Sequence, residues 1–270
     1  MLNVDPITRQ PLGFGLFSVL TPRPSGDDRW QIEGVQWETL ACAPASGIGQ
    51  VCVEGDVTGL PKNLDLSGGD AGEALPFTVY GSYSCNPVGS PGPQTMADRA
   101  TEHLLAREEA RVEQAAWTGD LDNVGFAEDA ENAGAGSLKR AVANLEGWLA
   151  TNYGSRGVIH MTRAVALLAI DAGVVEVKGT SLQTKIGTPV VAGAGYPGTG
   201  PTGQAPTANT SYIFATPAML GYRSDVFPGV DPVEAGLDRS TNMLHAVSER
   251  TYVVGWDPCG TAYSLATLPE

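Results

Sequence analysis

The sequence predicts an α+β fold, and three observations carry that expectation. One helical pattern runs unbroken from 95 to 117, which is long for a chain so rich in glycine. Two shorter helical patterns, 137–154 and 162–173, stand among short β-rich runs. Glycine (34) and proline (19) punctuate the 270 residues, which fits many turns between strands. The length allows one large domain or two modest ones, and a hydrophobic content of 42% supplies an ordinary core.

Residues 1–35 show no clear periodicity. They read as an extended arm that needs a partner surface for Phe14, Leu16, Phe17 and Trp30. Residues 36–75 mix short apolar runs with the turn signals SGIG, EGD and SGGD, so a long loop or open β-hairpin is expected. A strand follows in LPFTVYGSYSC. Thr95 and Asp98 resemble a capping box after Pro91 and Pro93. Along 95–117, Ala97, Ala100, Leu104, Leu105, Val112, Ala115 and Ala116 favour one side, with Glu108 and Arg111 on another. At about 1.5 Å per residue this helix is roughly 33 Å long, and Gly119 closes it. The segment GDLDNVGFAEDAENAGAG reads as a polar loop. Ser137 caps SLKRAVANLEGWLATNYG, GVIHM is a strand, and TRAVALLAIDAG is a helix with Gly173 just past its end. Further strands are expected at 184–192, 211–216, 219–227 and 242–256, and TAYSLATL closes the chain.

The residues argue against several kinds of chemistry. Gly193-Ala-Gly195-Tyr-Pro-Gly198 spells a dinucleotide fingerprint, but GTGPTGQAP follows it where a phosphate-binding helix should begin. A flexible loop between strands is the better reading. A net charge of −14 repels phosphate, so specific nucleic-acid binding is not expected, although enclosing DNA is compatible with it. Cys42, Cys52, Cys85 and Cys259 form no C-x-x-C pair. Free buried thiols are expected, with Cys42 and Cys52 the pair that could close across a turn. Asp120 and Asp122 lack further ligands at calcium-loop spacing and read as a solvated turn. No G-x-S-x-G or H-E-x-x-H occurs, and His103, His160 and His245 are far apart in sequence. His103 is expected on a solvated helix face, and His160 against a hydrogen-bonding neighbour rather than a metal. The remaining carboxylates read as solvated faces and loops. Asn209-Thr-Ser211 spells a glycosylation acceptor, without meaning in a bacterial cytosol. The start of the chain is neither a signal peptide nor a membrane span, and it reads as soluble when made. No catalytic, cofactor-binding or metal-ligating residues are assigned, and an interaction protein is expected.

Five stretches in order now matter together: LPFTVYGSYSCNPVG (75–89), RATEHLLAREEARVEQAAWTG (99–119), YGSRGVIHMTRAVALLAIDAG (153–173), IGTPVVAGAGYPG (186–198) and LDRSTNMLHAVSERTYVVGWDPC (237–259). From about Val35 onward the chain resembles the major capsid proteins of tailed bacteriophages of actinobacteria, with the Hong Kong 97-type fold. No short motif defines the likeness; the order of the stretches and the length carry it.

That resemblance implies a set of parts. Residues 1–35 would be the N-terminal arm, 36–94 the E-loop region with its flanking strands, and 95–134 the spine helix with part of the P domain. Residues 135–235 would be the A domain and 236–270 the return strands of the P domain, with GAGYPGTGPTGQAPT a loop near the capsomer axis. It further implies a non-enzymatic subunit of an icosahedral head, built from hexamers, pentamers or both. Such a head encloses double-stranded DNA without sequence-specific binding. Its partners are other copies of the chain and, beyond these, a scaffolding, portal or decoration protein, with no membrane. Its place is the virion, after assembly in the host cytoplasm. The chain begins almost at the arm, so scaffolding would be separate, cleaved beforehand or unnecessary. Lys62 lies where some members crosslink, without a motif to support it. An encapsulin-like shell, a tail-tube or decoration protein, and a soluble enzyme are the alternatives.

Overall fold

The computed structural model describes residues 9–20, 29–39, 42, 71–86, 93–228, 237–238 and 240–269. Cys52, Lys62 and most of the expected E-loop lie outside them. A 3₁₀ turn (Leu16–Ser18) and a single helical turn α1 (Trp30–Glu33) precede strand β1 (Val35–Glu38). β1 pairs antiparallel with β2 (Ala71–Ala74), so the two ends of the intervening excursion meet in an open hairpin, as expected.

β3 (Phe77–Cys85) then leads into the long helix α2 (Pro93–Thr118). The helix starts at Pro93, two residues earlier than the expected cap. Thr95 is therefore inside the first turn, and Asp98 accepts from Gln94 Nε2 at 3.0 Å instead of closing a capping box. Proline suits the first helical position because its missing N–H would have no partner there. Gly119 ends the helix in the left-handed region (φ 71°), with its N–H on Ala115 O.

The segment after α2 is not all loop. Glu131–Ser137 forms β4, a strand of alanine and glycine that pattern reading misses because it offers no apolar alternation. Ser137 then caps α3 (Leu138–Trp148), accepting from Arg140 N as expected, and a π-helical turn (Leu149–Tyr153) extends it. β5 (Val158–Thr162) is followed by α4 (Arg163–Asp171), with Gly173 at φ 72° beyond its end. β6 (Val175–Lys178), β7 (Ser181–Thr184), β8 (Pro189–Gly193) and β9 (Thr210–Thr216) follow. The chain then makes β10 (Met219–Arg223), β11 (Phe227–Pro228), β12 (Leu237–Asp238), β13 (Met243–Trp256) and β14 (Ala262–Thr267).

These strands form two larger sheets. A seven-stranded mixed sheet runs β4-β14-β9-β5-β8-β7-β6. The other sheet is built on β13, which pairs antiparallel with β3, β10, β11 and β12. Pairing thus sends 219–223 to the β13 sheet and 262–267 to the seven-stranded sheet.

Strand alternation explains the layering. On β5, Ile159 and Met161 join a core under α3 and α4 with Leu145, Val165 and Val190. Val158 and His160 face the opposite way, toward Trp117, Phe126 and Phe214 near the end of α2. On β3, Phe77 and Val79 face inward while Thr78 and Tyr80 face out. Gly81 is required where β3 crosses α2, because a Cβ there would collide with Leu104 N and Ala100 O.

Candidate functional site

The three histidines do not converge. His103 is exposed on α2 and bonds Ser82 O, and His245 meets Ser84 Oγ across the β13–β3 pairing at 2.7 Å. His160 is fully buried, with Nδ1 2.8 Å from Tyr196 Oη and Nε2 3.0 Å from Thr216 Oγ1. Burial pushes its pKa down to about 3, so it stays neutral. It is a hydrogen-bonded core residue, as its strand position suggested. Asp120 is paired with Arg111 at 3.1 Å, and Asp122 occupies a left-handed turn position. Among the described residues no three His, Cys, Asp or Glu side chains gather as a metal set, and no helix is long and apolar enough to cross a membrane.

Cysteine pairing departs from expectation. Cys42 is bonded to Cys259 across 217 residues, with Cα atoms 5.4 Å apart, so it is neither a free thiol nor a partner of Cys52. The cause is three-dimensional: β1 lies over the C-terminal end of β13, where Trp37 covers Gly255. Spacing along the chain does not reveal that approach. Cys85 is a free thiol, with its Sγ 3.5 Å from Met96 Sδ.

The glycine fingerprint begins no helix, in keeping with the loop reading. The first half of the loop packs against α2 within the chain. Gly195 N donates to Glu113 Oε2 at 2.8 Å, Trp117 Nε1 donates to Thr199 O, and Tyr196 is buried. A side chain at Gly195 would run into Ala110 O, so only glycine permits this approach.

Nor does the N-terminal segment lack a core of its own. Leu16, Leu20 and Trp30 are buried within the chain, and Phe17 stacks on Tyr252 at 5.9 Å. Backbone bonds hold the segment. Leu16 N donates to Glu113 Oε1 (2.9 Å), Phe17 N to Glu109 Oε1 (2.8 Å), Ala192 N to Phe14 O and Arg163 Nη1 to Gly13 O. Burial raises Glu113 to about 7 against the lowering effect of its backbone donors, and it also raises Glu109. A cleft of about 630 Å³ opens beside them, with Arg9, Leu12, Leu105, Arg107 and Arg163 on its walls. Leu105 is 42% exposed there, unlike Leu104 at 1%. Glu108, placed on a solvated face by sequence reading, is buried and holds Arg250 Nη1 with both oxygens at 3.0 Å.

The outer face of the β13 sheet is the exposed counterpart. Tyr80 and Phe227 are both paired with Glu249 across the sheet, and they are 68% and 64% exposed. Cross-strand partners share a face, so these two rings flank one carboxylate on the side away from α2.

No protein-family model matches the chain, and no curated protein matches it in sequence. Solved structures do match in fold. One from Microbacterium phage Oxtober96 is 11% identical, with a TM-score of 0.59 over 99% of this chain and 95% of that one. One from Mycobacterium phage Bobi is 9% identical, with a TM-score of 0.52 over 100% and 95%. The capsid of a native GTA particle is 12% identical, with a TM-score of 0.50 over 98% and 95%. The chain has the Hong Kong 97-type capsid fold, an α+β architecture.

Proposed function

We propose that this chain is a structural subunit of an icosahedral bacteriophage head, assembling into hexamers, pentamers or both around packaged double-stranded DNA. The observation that carries the reading is the end-to-end match in fold, 99% of this chain against 95% of its neighbour. In this reading α2 is the spine helix, the β13 sheet belongs to the P domain, and the seven-stranded sheet with α3 and α4 is the A domain. The residues between β1 and β2 form the E-loop, and those before β1 form the N-terminal arm. The P domain then takes 219–223, and the A domain takes 131–137 and 262–267, following the strand pairing.

A shell wall needs surfaces that bind copies of itself and tolerate DNA without gripping it. A net charge of −14 suits the second need. The exposed Tyr80 and Phe227 suit the first, since large aromatic side chains dominate contacts between subunits. Other capsid subunits are the principal partners; a scaffolding, portal or decoration protein completes the head, which assembles in the host cytoplasm and ends as virion. The 26-residue α2 argues against a tail tube, whose subunits are built of strands. Electron microscopy of the purified chain tests the proposal: closed shells or capsomer rings support it, and tubes or lone monomers refute it. Shells that enclose protein cargo instead of DNA in infected cells would favour the encapsulin-like alternative.

A further inference from the structure

Glu109 and Glu113 lie one helical turn apart on α2, and both accept N–H groups from the same 3₁₀ turn. We propose that this pair is a proton-operated clamp on residues 13–18, closed while the two carboxylates hold a proton and loosened when both are ionised.

The argument starts from the surroundings. Glu113 is 0% exposed, and backbone N–H groups of Leu16, Gly195 and, more weakly, Ala194 donate to it, which favours its ionised form against the larger cost of desolvation. Glu108, next to Glu109 on α2, adds negative charge. From α4, Arg163 donates to Gly13 O and favours ionised Glu109. Arg9 of the N-terminal segment and Arg107 of α2 stand at the cleft wall. From the 194–200 loop, Tyr196 turns its hydroxyl to His160 instead of the carboxylates. Two neighbouring carboxylates in a site this dry do not both ionise cheaply, so the singly protonated pair is the favoured closed state. Desolvation accordingly holds Glu113 at about 7, above its ordinary 4.5.

Opening admits water from the cleft and returns Glu113 to ordinary carboxylate behaviour. The sign follows from proton binding. The closed form keeps its proton up to about 7, whereas the open form gives it up near 4.5. Between these values opening becomes easier by up to about tenfold per pH unit, and above them it levels off. The clamp thus tightens in acid and slackens toward neutrality. When slack, residues 13–18 are no longer fixed to α2, and the chain before them is free to reach elsewhere. Global stability would mask this. His160, held neutral down to about 3 from 6.5, loses stability as pH falls over an overlapping range. A local readout is therefore needed.

Hydrogen exchange with mass spectrometry on the full chain supplies it, comparing about pH 5 with about pH 7.5 after correction for intrinsic exchange. Protection of peptides spanning 13–18 should fall more than about tenfold, while α3 peptides from 138–148 stay unchanged. Glu113→Gln should reduce the fall to less than about twofold. Glu109→Gln removes the like charge, so its exchange should level off at a lower pH. Equal protection of the wild-type segment at both pH values overturns the proposal, as does a full-sized fall in Glu113→Gln. If Glu113→Gln does not fold, Glu109→Gln decides: a plateau at the wild-type pH overturns it. None of these outcomes depends on whether the chain forms shells.

Discussion

At the residue scale, buried charge departs furthest from what the sequence suggests. Glu108, Glu109 and Glu113 form a run of acids that reads as a solvated helix face, yet Glu108 and Glu113 are buried. The signal was present in part: Ala116 and Trp117, three and four residues on, put Glu113 on a side of α2 that is apolar toward its end. Its partners, however, are backbone groups 97 and 82 residues away, which no pattern reveals. Arg250 is held by both oxygens of Glu108, with only 13% of its side chain exposed. Removing one member strands the other in the core, so Arg250→Ala should cost about 3–5 kcal/mol in urea unfolding. Leu104 at 1% exposed and Leu105 at 42% make a sharper pair. Leu104→Ala should cost about 2–5 kcal/mol, whereas Leu105→Ala should stay within about 1 kcal/mol. Equal losses would mean that the face of α2 has been misassigned.

At the element scale, most of the fold was legible. The long helix, the two shorter helices with Ser137 and Gly173 at their ends, and many of the strands were marked by periodicity and caps; the strand expected at 184–192 instead breaks in a turn at Gly187 between β7 and β8, and β6 was not foreseen. β4 was not, because Glu131–Ser137 owes its strand form to pairing with β14 rather than to side chains. The disulfide was equally hidden, since it depends on β1 crossing the end of β13. Closing a loop of 217 residues stabilises chiefly by restricting the unfolded chain. Cys42→Ser should therefore lower stability by up to about 5 kcal/mol, and a reducing agent should do the same to the wild type. The glycines divide clearly. Gly195 sits against Ala110 O, so Gly195→Ala should displace the loop and cost about 1–3 kcal/mol. Gly147, inside α3 with open space around it, is the contrasting case: Gly147→Ala should stabilise by about 0.5–1 kcal/mol. Thermal unfolding of the two variants should shift in opposite directions; a shift in the same direction would contradict one of the two placements.

At the scale of the whole molecule, apolar groups divide between a buried core and an exposed face on the β13 sheet. The segment 14–20 is tied into its own subunit, so the expectation that the N-terminal arm is ordered only by neighbours applies at most to other residues. The free chain should already protect Leu16 and Leu20 from hydrogen exchange under acidic conditions. Outward aromatics on the β13 sheet remain available for a second copy. Tyr80→Asp should leave the unfolding midpoint of the monomer within about 0.5 kcal/mol of wild type while weakening self-association, measured by sedimentation. The proposed role as a shell subunit makes the assembled state the decisive observable. That measurement is negative-stain electron microscopy of the purified chain over a range of concentration and salt: closed shells or five- and six-membered rings are the expected result, and a chain that stays monomeric under every condition, or forms open tubes, would contradict the account.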